Sequence, residues 1–145
     1  MRPLSRYAWI PLALSVSACC THQLPKPNLT DFDCKPPSVC PVQAPGDVIL
    51  RVNENGEPDQ ECVQVNPDEN RVIWLGSDKI RLLEIYFKES PGRQTPRPPI
   101  CAGALCSMAE LKGGEKPEGL FCYALALETK SGERKSVDPK LIIKY

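Results

Sequence analysis

The chain has 145 residues, with 18 basic and 18 acidic side chains, one histidine, eight cysteines and 16 prolines. A formal net charge of zero supplies no basic surplus to release counterions from nucleic acid, which sets nucleic-acid binding aside. The one histidine, His22, lies ahead of the expected folded domain and leaves it no imidazole for general-base catalysis or a blue-copper site.

In chain order, residues 1–18 come first. Arg2 and Arg6 make a positive start, residues 7–16 form a short apolar run, and Ser17-Ala18 are small residues before Cys19. This is the layout of a cleaved secretory signal. The run is about half of what a spanning helix needs, and Pro11 lies inside it.

The four residues Val16-Ser17-Ala18-Cys19 resemble the lipobox of bacterial lipoproteins. The resemblance implies diacylglycerol on the Cys19 thiol, cleavage before it and acylation of the new amino terminus. Three buried acyl chains, at about 0.8 kcal/mol per CH₂, would make a membrane anchor. Cys20 rather than Asp follows, which by analogy with lipoprotein sorting implies the outer membrane. An ordinary secretory signal is the alternative, since Val16-x-Ala18 also fits that cleavage rule. The protein would then be a freely secreted, disulfide-rich binding domain.

Residues 19–45 hold Pro25, Pro27, Pro36, Pro37, Pro41 and Pro45 with few apolar residues. They read as a lipid-anchored, proline-stiffened stalk. Asn28-Leu29-Thr30 fits a glycosylation sequon and reads as a chance match. Loss of Arg2 and Arg6 with the signal leaves 16 basic against 18 acidic side chains, a net of −2.

Residues 46–145 are expected to form one domain. DVILRVN alternates Val48, Leu50 and Val52 on one face, Asn55-Gly56 marks a turn, and QECVQV follows. RVIWL puts Val72 and Trp74 on one face. KIRLLEIYF reads as a strand with a bulge near Leu82-Leu83, where alternation slips. MAELKGGE (108–115) suits one helical turn ended by glycines. GLFCYALALET is apolar on both faces, as in a central strand. A Ser131-Gly132 turn leads into a polar return strand, and DPKLIIKY ends the chain with Leu141, Ile143 and Tyr145 on one face. About seven strands at this spacing predict an all-β, two-layer antiparallel sandwich.

Cys34, Cys40, Cys62, Cys101, Cys106 and Cys122 read as a disulfide set in an exported chain. Spacing does not select one connectivity. The expected pairs are Cys34–Cys40, Cys101–Cys106 and Cys62–Cys122, with Cys20 left over. The ending FCYALALETKSGERKSVDPKLIIKY resembles the tyrosine-bearing strand, hairpin and Asp-Pro-led last strand of small immunoglobulin-like or cupredoxin-like sandwiches in bacterial envelope proteins. That resemblance implies a fold and no activity.

No blue-copper set is available to the domain, because the single histidine, His22, precedes it. The carboxylates Glu54, Glu57, Asp59 and Glu61 surround a turn and read as solvated charge. No cofactor or metal is expected, and CAGALC reads as a loop-closing disulfide rather than a redox motif. Trp74 and Tyr86 read as packing residues. The segment 88–106, stiffened by prolines and carrying Arg93 and Arg97, is the candidate binding loop. The expected function is a non-enzymatic envelope lipoprotein that contacts an envelope protein or the cell wall. A periplasmic inhibitor or immunity lipoprotein, blocking a toxic hydrolase with the 88–106 loop, is the alternative.

Overall fold

The computed structural model describes residues 24–30, 39–88, 95–108 and 119–144, with side chains through Val137. Eight strands follow one another: β1 (Gly46–Val52), β2 (Cys62–Gln64), β3 (Asn70–Gly76), β4 (Ile80–Phe87), β5 (Ile100–Ala102), β6 (Leu105–Ser107), β7 (Leu120–Thr129) and β8 (Arg134–Lys144). They form two four-stranded sheets, ordered β1-β3-β6-β5 and β2-β8-β7-β4. Among the described residues there is no helix.

Alternation builds the core between the sheets. Val48, Leu50 and Val52 point inward from β1, and Val72 and Trp74 from β3. Leu83, Ile85 and Phe87 of β4 meet them with Phe121, Tyr123, Leu125 and Leu127 of β7. Trp74 is fully buried. Its ring meets Tyr123 edge-on at 5.3 Å and Phe87 at 6.3 Å between centroids, the geometry favoured by aromatic quadrupoles. β7 lies between β8 and β4, and every residue from Phe121 to Thr129 is buried. The central strand expected from its two apolar faces is therefore present.

The two-layer sandwich is the expected one, but each sheet contains a parallel pair. β1 runs parallel to β3, with Val48 opposite Val72 and Leu50 opposite Trp74. β2 lies parallel to β8 in the other sheet. The Asn55-Gly56 turn does form: the Asn53 carbonyl accepts the Gly56 N–H, and Asn53 N–H donates to the Glu57 carbonyl, both at 2.9 Å. Beyond a single Val52–Pro58 bridge, however, the ladder stops: the Asp59 N–H still donates to the Arg51 carbonyl at 2.9 Å, but the Arg51 N–H goes to the Asp59 carboxylate at 3.0 Å. The chain then crosses to the opposite layer.

In β4 the register slips between Ile80 and Leu82, close to the expected bulge. The two strands expected after the Ser131-Gly132 turn are one strand. Leu125 pairs with Val137 and Tyr123 with Leu141, so residues 138–140 bulge around Pro139 and the ladder resumes. Leu141 and Ile143 stand opposite Tyr123 and Phe121. Two further strands, β5 and β6, occupy the end of the segment read as a loop. Of the expected helical turn only Met108 is described; its N–H donates to the Val72 carbonyl at 3.0 Å. Residues 109–115 lie outside the described residues.

The disulfides correct two of the three expected pairings. Cys101 bonds Cys106, as expected. Cys40 bonds Cys62, with Cα atoms 5.3 Å apart, which rules out the Cys34–Cys40 and Cys62–Cys122 pairs. Residues 41–43 run beside β2: Gln64 N–H donates to the Pro41 carbonyl and Gln43 N–H to the Gln64 carbonyl, both at 2.9 Å. This carries Cys40 to Cys62. Cys62 and Cys122 instead both pair across to Ile142 on β8. Two strand spacings, about 10 Å, exceed the Cα separation a disulfide tolerates. Cys122 packs against Cys62 and is itself disulfide-bonded; its partner lies outside the described residues, as do Cys34 and Cys20.

Candidate functional site

The expected recognition segment proves to be two different things. Arg93 lies outside the described residues. Arg97 is exposed, Pro96 before it is buried, and Pro98 is exposed. From Ile100 onward the chain is a tight hairpin within a sheet. Gly103 adopts φ +61° at its tip, which suits a two-residue turn with glycine in the first central place. Cys101 faces Cys106 across the hairpin, and the disulfide staples that pair.

The hairpin is held on two sides. β6 pairs with β3, Cys106 opposite Trp74 and Leu105 opposite Leu75. At the tip, Gly76 N–H donates to the Ala104 carbonyl at 2.7 Å and Leu83 N–H to the Gly103 carbonyl at 2.9 Å. A Cβ on Gly76 would stand 3.1 Å from Ala104 and Ile80 atoms, so glycine permits this close approach. Residues 100–106 of the expected loop are therefore a rigid corner joining the two sheets.

This corner completes an apolar outer face on the β1-β3-β6-β5 sheet. The register sets Ile49, Ile73, Ser107 and Ile100 in one row across four strands. Arg51, Leu75, Leu105 and Ala102 form the next row. Ile100 is 70% exposed, Leu105 43% and Ile49 41%. Polar pairs border the face. Arg71 clasps Asp47 through Nε to Oδ1 at 3.0 Å and Nη2 to Oδ2 at 2.8 Å, and this holds the Asp47 carboxyl below its ordinary pKa. Beside Arg51 and Leu75, an open hollow of about 420 Å³ is lined also by Asn53, Glu57, Asp59 and Ser77.

The outer face of the opposite sheet carries charge instead. Glu128 is 4% exposed yet ionised. Arg81 donates to its Oε1 through Nε at 2.9 Å and through Nη2, and Arg134 Nε donates to Oε2 at 3.1 Å. The Arg81 hydrogen bonds lower the Glu128 pKa, burial opposes them, and Arg134 adds to the lowering. Nearby, Lys79 pairs with Glu54 at 2.7 Å and Lys135 with Glu133 at 3.2 Å. They rim a shallow depression of about 530 Å³ together with Asp78 and Lys130. Its charges largely neutralise one another.

Glu54, Glu57 and Asp59 of the turn each have a partner. Glu54 meets Lys79, Glu57 accepts the Asn53 side-chain amide at 2.9 Å, and Asp59 Oδ1 accepts the Arg51 N–H at 3.0 Å. Among the described residues no three His, Cys, Asp or Glu side chains gather as they would around a metal ion. Trp74 is a core residue. Tyr86 is half-buried, and its hydroxyl donates to Glu84; burial first, then that bond, raises its pKa to about 12.

Sequence reasoning placed recognition on two arginines and passed over the apolar rows. A signal was available. VILRV and VIWLG interrupt inward apolar residues with Ile49, Ile73 and Leu75, where a one-sided strand carries polar residues. Cys19, the expected lipidation residue, lies outside the described residues. Comparison of the chain with protein-family models, curated proteins and solved structures finds no match in any of the three.

Proposed function

We propose that this chain is a non-enzymatic outer-membrane lipoprotein, acylated at Cys19, whose β-sandwich is a protein–protein interaction module of the cell envelope. The lipobox-like Val16-Ser17-Ala18-Cys19 supports the address. The apolar outer face carries the choice of activity: Ile49, Ile100 and Leu105 are exposed together on a disulfide-stapled sheet. Contiguous exposed apolar area of this kind typifies protein contacts. It suits a protein better than a cell-wall polymer, whose sugars present hydroxyls and amides that need polar partners.

The test is crosslinking in intact envelopes followed by capture of the tagged protein. Ile49→Glu combined with Leu105→Arg is expected to abolish a specific crosslinked partner band while leaving the thermal midpoint unchanged, since both side chains point to solvent. The same band at the same intensity in the variant excludes this face.

A second reading, a periplasmic inhibitor or immunity lipoprotein, is favoured by the exposed Arg97-Pro98 stretch beside the fixed hairpin. On that reading Arg93→Ala with Arg97→Ala removes protection in a toxin challenge, and full protection by the double variant dismisses it.

A further inference from the structure

β1 is the outermost strand of the β1-β3-β6-β5 sheet, and only one of its edges is paired. The Gly46 N–H donates to the Glu69 carbonyl, and the Val52 carbonyl accepts from the Ser77 N–H. Alternate residues of a strand bond the same neighbour, so Gly46, Val48, Leu50 and Val52 serve β3. Asp47, Ile49 and Arg51 turn their N–H and C=O groups the other way. Arg51 is closed there, because its N–H goes to the Asp59 carboxylate and its carbonyl accepts the Asp59 N–H. Among the described residues nothing bonds the main chain of Asp47 or Ile49.

An unpaired edge of this kind is a template for another strand, and its side chains do little to blunt it. Ile49 is 41% exposed at the end of the row Ile49-Ile73-Ser107-Ile100. Asp47 is neutralised by Arg71. One row on, Arg51 is exposed, and its guanidinium enters no ion pair among the described residues.

We infer that the partner joins this sheet as an added strand: an extended protein segment lies antiparallel to β1, bonds the free main-chain groups of Asp47 and Ile49, sets an apolar side chain beside Ile49 and brings a carboxylate to Arg51. This rests on the protein-contact reading of the apolar face proposed above. Antiparallel pairing is the more stable per residue, and it sets facing side chains on the same side of the sheet. The contact is short, because Asp59 holds the edge at Arg51, and the carboxylate comes from just beyond the paired residues. Arginine grips a carboxylate bidentately, which fixes the register of the added strand. A second copy of the chain fits less well. The one carboxylate on its β1, Asp47, is clasped by its own Arg71 and leaves Arg51 without an anion.

The probe is a blocked heptapeptide, Thr-Glu-Thr-Val-Thr-Val-Thr, which carries its glutamate and both valines on one face, with a second version that has lysine in place of glutamate. Amide hydrogen exchange is followed by NMR on the mature protein in detergent micelles. Without peptide, the Asp47 and Ile49 amides are expected to exchange fast, and those of Val48 and Leu50 slowly. The glutamate peptide in millimolar excess is expected to slow both edge amides about tenfold. The lysine peptide should bind more weakly, and Arg51→Glu should reverse the preference. Unchanged exchange at Asp47 and Ile49 with the glutamate peptide overturns the inference. So does protection of both amides without peptide in a protein that sediments as a dimer.

In intact envelopes, Ile49→Pro removes an edge N–H and leaves the β3 ladder whole, as edge prolines do. It is expected to lose the crosslinked partner band that Ile49→Val keeps. A band kept by Ile49→Pro but lost in Ile49→Glu with Leu105→Arg overturns strand addition, while the apolar face still docks the partner. No band in the natural protein is the failure of the protein-contact reading itself, and the inference falls with it.

Discussion

Glu128 shows how one side chain ties three strands and sets an acid limit on stability. It sits on β7 between Arg81 of β4 and Arg134 of β8, nearly closed to solvent, and accepts from both. Its pKa in the folded protein lies below the ordinary 4.5. A depressed carboxyl stabilises the fold above its unfolded pKa, and that contribution is lost as pH falls through the folded value. The thermal midpoint is therefore expected to drop on acidification below about pH 4.5, with the exposed, ion-paired Asp47 and Glu54 shifting the same way. Glu128→Gln should start lower at neutral pH, because two guanidinium groups lose their shared anion. It should also show a shallower acid slope. Parallel slopes for the two proteins in melting curves taken from neutral pH downward would refute this role. None of it was legible in sequence, since Arg81 and Glu128 stand 47 positions apart and meet only because β4 pairs with β7.

Among elements, the two glycine turns separate backbone demand from packing demand. Gly56 and Gly132 both adopt positive φ, +84° and +89°, and both were expected turn residues. A Cβ on Gly132 meets nothing within 4 Å, while one on Gly56 would lie 2.3 Å from Val137 Cγ2 and 3.3 Å from Leu127 Cδ2. Gly132→Ala should cost about 1 kcal/mol of backbone strain. Gly56→Ala should cost clearly more, because the first turn is also pressed against β7 and β8. Urea denaturation of the two variants reads the difference directly, and equal losses would mean that Val137 yields without cost. Turn chemistry announced both bends in the sequence. That the first one leads out of its sheet did not show, because turn residues mark where the chain bends and not where it goes next.

At the scale of the whole molecule, the disulfides decide where the domain begins. In the chain-entropy account, closing the 22-residue separation of Cys40 and Cys62 contributes about 3 kcal/mol, and the 5-residue separation of Cys101 and Cys106 about 2 kcal/mol. Cys40→Ala with Cys62→Ala is thus expected to lower the urea midpoint further than Cys101→Ala with Cys106→Ala, since it also releases residues 40–43 from β2. The reverse order would show that the hairpin corner, not the amino-terminal clasp, governs global stability.

By itself the sequence determined what repeats at short range. Alternating apolar residues predicted one face each of β1 and β3, and β-branched and aromatic content marked β4 as a strand. The doubly apolar run picked out β7 as central, and Asn55-Gly56 and Ser131-Gly132 marked turns. These follow from period-two side-chain geometry and the steric freedom of glycine, both local properties. The tertiary structure alone decided which strands are neighbours. The parallel β1-β3 and β2-β8 pairs, the transfer of β2 to the opposite layer and the Cys40–Cys62 bond all depend on the path of the chain between layers. The apolar outer face was hidden for the same reason. Ile49, Ile73, Leu105 and Ile100 are scattered over 57 positions of sequence and become one surface only when sheet registry sets them side by side. A run such as VIWL states that both faces are apolar, and the packing of the other strands decides which face is covered.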